Sequence, residues 1–157
     1  MKIFFIILIY FFSLNFEAKL KIEIIKGSEE LPDIAIVPFK SSFGRQFEYD
    51  IRDLINEKLT LFGEFNSLEL ERMLSFPFNE ESFYRRDWEL LSMDYVVFGE
   101  VYETEGKLVL NYLVADIDLK RIILRGDITG DKKNIELITK KISDRVYESI
   151  TGLKGIF

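Results

Sequence analysis

Apolar residues recur along this chain at two spacings, and the spacing changes mark out the elements. Leu20, Ile22 and Ile24 alternate with Lys21 and Glu23, the period-2 pattern of a half-buried strand over Leu20–Ile25. Gly27 and Pro32 break that pattern. Ile34-Ala35-Ile36-Val37 is a short apolar run stopped by Pro38, which predicts a buried strand. Ser41, Ser42 and Gly44 then mark a loop. Phe47, Ile51, Leu54, Ile55 and Leu59 fall on one face of a helix, with Arg52, Asp53, Asn56 and Glu57 assigned to the opposite, solvent face. Gly63 is the expected stop, in the left-handed conformation. Phe65–Leu70 reads as a short strand. Asn79 is placed to cap a helix with Glu80 and Glu81 in its first turn and Tyr84, Trp88 and Leu91 on its buried side.

The second half is simpler. Tyr95–Phe98 is apolar on both faces and predicts a central strand that runs on through Gly99–Tyr102. Glu105-Gly106 is a hairpin turn, Leu108–Ala115 the return strand, Asp116–Lys120 a second turn and Arg121–Ile128 a third strand, all antiparallel. Asp131 is the expected N-cap of a last helix whose stripe is Ile135, Ile138, Ile142, Val146 and Ile150, ended by Gly152. The fold class is therefore α+β: a single mixed β-sheet with an antiparallel meander, packed against two or three helices. The first and last helices are expected to share one face of it.

The first eighteen residues follow other rules. Met1-Lys2 leads into ten uncharged residues, Ile3–Phe12, and Ala18 follows shortly after. A positive start, a brief apolar core and a small residue form a secretory signal pattern. The apolar run is short of the about 20 residues a membrane-spanning helix needs. Phe16 stands where a small residue is preferred, so the site is imperfect. Residues 1–18 are expected to be a signal peptide, and residues 19–157 one exported domain with no transmembrane span after cleavage. No Cys follows that could carry a lipid.

Composition mainly excludes. The chain of 157 residues has no Cys and no His. That removes disulfides, zinc sites of the usual kind, thiol nucleophiles and imidazole proton transfer. Its net charge of −6, with basic residues only in pairs such as Arg85-Arg86, Lys132-Lys133 and Lys140-Lys141, argues against nucleic acid. Fifteen Phe and seven Tyr supply ample core for one domain. Candidate chemistry is thin. Asp50 and Asp53, or Glu69 and Glu71, have the spacing of paired carboxylates, but acidic pairs are ordinary surface in an acidic chain. Ser41-Ser42 beside Lys40 offers a Ser–Lys pair with nothing to desolvate the amine. Gly126–Gly130 lacks the Lys of a phosphate loop, and Asp116-Ile117-Asp118 lacks the rest of a calcium loop. No catalytic site and no cofactor is expected.

Three stretches carry a resemblance. They are Leu20–Ile25 followed by Ile34-Ala35-Ile36-Val37-Pro38-Phe39, then Trp88–Val101 leading into Leu108–Asp116, and finally Ile142–Phe157. The last contains Ser143-Asp144, Tyr147-Glu148 and Thr151-Gly152-Leu153-Lys154-Gly155-Ile156-Phe157. In this order they resemble the amino-terminal domain of the TolB family, with Ser92 standing where the family usually has Gly. The middle stretch is also similar to CsgG-type envelope domains, which assemble on the outer membrane; that is the alternative. The resemblance implies a periplasmic, non-enzymatic adaptor of the Tol–Pal system, which supports outer-membrane invagination in division and envelope integrity. It implies that the mature N-terminus, here Lys19, Leu20, Lys21, Ile22, Glu23, Ile24, Ile25, Lys26 and Gly27, binds a TolA-like inner-membrane protein. An extended segment of this pattern suits addition to a partner's sheet edge. It suits an edge strand of the domain's own sheet equally well. The family's Pal-binding surface lies largely on a following β-propeller, so a Pal-like partner is implied only if a propeller is supplied elsewhere.

Overall fold

The computed structural model describes residues 31–43, 50–61 and 63–155. Its centre is a mixed sheet of six strands ordered β3-β1-β4-β5-β6, with β2 pairing the far half of β4. In chain order these are β1 (Asp33–Ile36), β2 (Lys40–Ser41), β3 (Asn66–Ser67), β4 (Tyr95–Thr104), β5 (Lys107–Asp116) and β6 (Arg121–Gly130). β1 runs parallel to both β3 and β4, and β2 runs parallel to β4. β4, β5 and β6 form the antiparallel meander. Among the described residues there are three α-helices: α1 (Ile51–Thr60), α2 (Arg85–Leu90) and α3 (Ile135–Thr151).

The hairpin joining β4 to β5 has two turn residues, Glu105 and Gly106, both with positive φ, at 52° and 75°. That is the type I′ geometry whose twist matches paired strands, and it sets the register Thr104↔Lys107. A bulge between Val114 and Ala115 shifts the β5–β6 register near its other end.

Alternation along the strands separates two cores. Ile34, Ile36, Val97, Val101, Leu108, Leu110 and Val114 face α1 and α3, which meet them with Ile51, Ile55, Leu59, Ile138, Ile142 and Val146. Ala35, Val37, Val96, Phe98 and Ala115 face the other way, onto Leu68, Met73, Trp88 and Met93. The first and last helices thus share one face, as the sequence pattern predicts. α2 and the chain leading to it cover part of the other.

Four local expectations fail, each for a visible reason. Arg52, assigned to the solvent face of α1, is buried at 8% exposure. Its Nε donates to the Ile36 carbonyl at 3.1 Å, one NH2 group donates to the Leu68 carbonyl at 3.2 Å, and the other reaches Asp53 at 2.6 Å. The Phe65–Leu70 strand contracts to Asn66–Ser67, because the chain tightens into a 3₁₀ turn at Leu70–Arg72. Asn79 accepts from the Ser82 amide at 2.9 Å but starts no helix. Phe83 instead stacks flat on Phe98, with centroids 4.9 Å apart, and Tyr84 stays extended and exposed before α2 begins. Finally, Asp131 makes no side-chain cap; a 3₁₀ turn, Lys132–Asn134, intervenes before α3.

Candidate functional site

The residues expected to bind a partner, Lys19–Gly27, lie outside the described residues. The other sequence candidates lie among the described residues, and most of them have a structural role. Asp50 is the N-cap of α1 and accepts from the Asp53 amide at 3.3 Å. Asp53 pairs with Arg52. The two carboxylates therefore serve the helix end and a buried guanidinium. Glu69 and Glu71 are exposed at the start of a 3₁₀ turn, off any strand. The Ser41 hydroxyl accepts from the Phe43 amide at 3.1 Å, while Lys40 Nζ sits 3.6 Å over the Phe78 ring. Neighbours in sequence, they point to different partners. Asp116 Oδ1 accepts from the Leu119 amide at 2.7 Å and closes the β5–β6 turn. Gly126 lies in β6 under the Tyr112 ring, where a Cβ would come within 2.4 Å of the ring carbon bearing the hydroxyl. The Tyr112 hydroxyl in turn accepts from Arg145 at 3.3 Å. No group of three or more potential metal-ligating side chains occurs among the described residues.

The C-terminal motif also resolves into physical roles. Ser143 is fully buried on α3 and donates to the Thr139 carbonyl at 3.0 Å. Tyr147 meets Phe65 edge-on, 6.2 Å between centroids. Gly152 takes the left-handed cap at φ 72°, its amide donating to the Glu148 carbonyl. Thr151 donates to the Tyr147 carbonyl and accepts from the Leu153 amide. Gly155 then lies so close to Asp144 that a Cβ would come within 2.6 Å of its Cα. The motif is a helix stop followed by a chain that doubles back on the helix. Ser92 plays the corresponding part after α2: at φ 56° it takes the left-handed position, with the Met93 amide donating to the Trp88 carbonyl at 3.1 Å. A serine holds there the conformation that glycine adopts without strain.

One feature was not visible in the sequence. On the sheet face opposite α1 and α3, the start of α2 and the β5–β6 turn enclose a groove of about 620 Å3. Arg85, Arg86, Lys120, Arg121 and Arg125 line it, against two carboxylates, Glu80 and Asp116. Arg125 grips Glu80 with two hydrogen bonds, of 2.6 and 2.9 Å. That contact holds the Glu80 carboxyl below its ordinary titration range. The basic residues come from two stretches more than thirty positions apart. In sequence each looks like solvated surface, and only the fold brings them together.

Residues 20–122 match the family model of the TolB amino-terminal domain. The Tol-Pal system protein TolB of Hahella chejuensis is 32% identical over 142 residues, covering 89% of this chain and 33% of that protein. The corresponding protein of Pseudomonas aeruginosa is 29% identical over 131 residues, covering 83% and 30%. The chain thus spans about a third of the length of these curated relatives. The crystal structure of TolB from Acinetobacter baumannii superposes with a TM-score of 0.66 at 24% identity, over 79% of this chain and 29% of that one.

Proposed function

The chain belongs to the TolB amino-terminal domain family, and from that premise we propose that it is an exported, non-catalytic adaptor that binds other proteins of the Tol–Pal system in the periplasm. The match over residues 20–122 carries this reading. Two further features support it. Residues 1–18 have the pattern of a cleavable signal, and Asp50, Asp53 and Ser41 are engaged in holding the fold while Lys40 lies over the Phe78 ring. No helix among the described residues is long and apolar enough to cross a membrane. The role is to help couple inner-membrane partners to the outer membrane during division and so maintain envelope integrity.

The partner-binding element in this reading is Lys19–Gly27. Leu20, Ile22 and Ile24 would fill alternate pockets while the backbone extends a sheet edge of a TolA-like periplasmic domain. Calorimetry with that domain is the test. Deleting Lys19–Gly27 is expected to remove measurable binding, and unchanged affinity would refute the assignment. Export is tested separately, by N-terminal sequencing of the protein recovered from cells. The expected first residue lies near Lys19 in the periplasmic fraction; an intact Met1 in the membrane fraction would overturn it.

A further inference from the structure

We propose that the basic groove between α2 and the β5–β6 turn is a second docking site, for an extended acidic segment of a protein partner. The described residues that line it are distinct from Lys19–Gly27. The argument begins with charge. Five cations face two carboxylates in a chain whose net charge is −6, so the groove concentrates positive charge against the overall balance. Pairing of Glu80 with Arg125 leaves four lining cations against one carboxylate, Asp116. Glu80 is held by Arg125 in a two-point contact, and Asp116 is buried with Oδ1 committed to the Leu119 amide. Arg85 is shared with Glu89 at 3.1 Å. Arg86, Lys120 and Arg121 have no carboxylate within ion-pair distance among the described residues, and all three are exposed.

Shape narrows the occupant. The groove offers a volume of about 620 Å3 and stands open to solvent. It is far larger than one inorganic anion needs, and its cations are spread over two elements rather than converging on a point. Nucleic acid would meet the negative charge of the remaining surface. Apolar side chains complete the pattern. Tyr84, in the lining, is 65% exposed, and Leu119, beside Lys120 in the turn, is 59% exposed. An extended chain that alternates carboxylates with apolar residues matches both features.

The test uses the full chain and a fluorescein-labelled octapeptide of alternating glutamate and leucine, followed by anisotropy. The expected result is saturable binding that weakens with salt and falls about tenfold or more in the triple variant Arg86→Glu, Lys120→Glu, Arg121→Glu. The control triple Lys133→Glu, Lys141→Glu, Lys154→Glu makes the same change in net charge at exposed sites elsewhere, and is expected to bind within about twofold of the unaltered chain. All six positions are exposed, so each variant keeps the fold, as a thermal melt verifies. The proposal is overturned if the peptide does not bind or if both triples weaken it equally. It is likewise overturned if a glutamine–leucine peptide binds as well, or if millimolar inorganic phosphate displaces the peptide. Groove-dependent binding to phosphatidylglycerol vesicles in place of the peptide would show a membrane site instead.

Discussion

Replacing Gly99 by alanine is expected to lower the melting temperature more than the same change at any other described glycine. Gly99 lies in β4 opposite Tyr112 of β5. A Cβ there would stand 2.1 Å from the Asn111 carbonyl oxygen and 2.9 Å from both Tyr112 Cα and a ring carbon of Phe39. The Phe39 ring could swing aside, but the other two contacts are backbone of the neighbouring strand. Relief therefore means opening the β4–β5 ladder at its middle. The reason for the close approach is topological. β1 and β2 both run parallel to β4, with one extra residue between Ile36 and Lys40, and in that irregular stretch the Phe39 ring lies against Gly99. Overpacking of this kind costs about 3 kcal/mol, or about 6–10 °C in a domain of this size. Circular dichroism melts would measure it. Gly106→Ala is the matched control: its Cβ meets nothing within 4 Å, and only the strain of φ 75° opposes it, about 1 kcal/mol. A drop at Gly99 no larger than at Gly106 would refute this account.

Gly99 also shows what the sequence can and cannot say. Gly99 lies inside the Trp88–Val101 stretch that carries the family resemblance, but the close approach of the Asn111 carbonyl that excludes a side chain there is visible only in the fold. Elements with strong periodicity were legible: the meander, the type I′ hairpin and the stripe of α3 stand where alternation and spacing put them. Elements decided by a distant contact were not. Asn79, Glu80 and Glu81 have the chemistry of a helix start, yet the chain closes a single turn there, with the Phe83 amide donating to the Glu80 carbonyl, and Phe83 stacks on Phe98 before α2 begins. The basic groove was illegible for the same reason. Arg85-Arg86 and Lys120-Arg121 are unremarkable pairs until the packing of α2 on the sheet brings them to one concavity.

Arg52 is the case where charge misled and angle would not have. At about 100° per residue, Ile51, Ile55, Leu59 and Arg52 fall within a single arc of about 100°, with Leu54 about 60° outside it. The structure agrees: Ile51, Arg52, Ile55 and Leu59 are the buried residues of α1, and Leu54 is only partly buried. A guanidinium is tolerated there because it is satisfied. It bridges the carbonyls of Ile36 and Leu68, at the ends of the parallel strands β1 and β3, and so ties α1 to the sheet. Arg52→Met keeps the length of the stem but strands two buried carbonyls, each worth about 1–3 kcal/mol when left without a donor. The expected loss is about 3 kcal/mol, on the same scale as Gly99→Ala. Arg52→Lys, with one compact ammonium in place of a planar fork, should recover one of the two contacts and fall between. Asp53→Asn separates this from a simple ion pair: the Asp53 side chain is 63% exposed, so losing its charge should cost under about 1 kcal/mol. Urea unfolding of the three variants decides the matter. If Asp53→Asn were as damaging as Arg52→Met, the ion pair and not the carbonyl bridge would be what holds α1 in place.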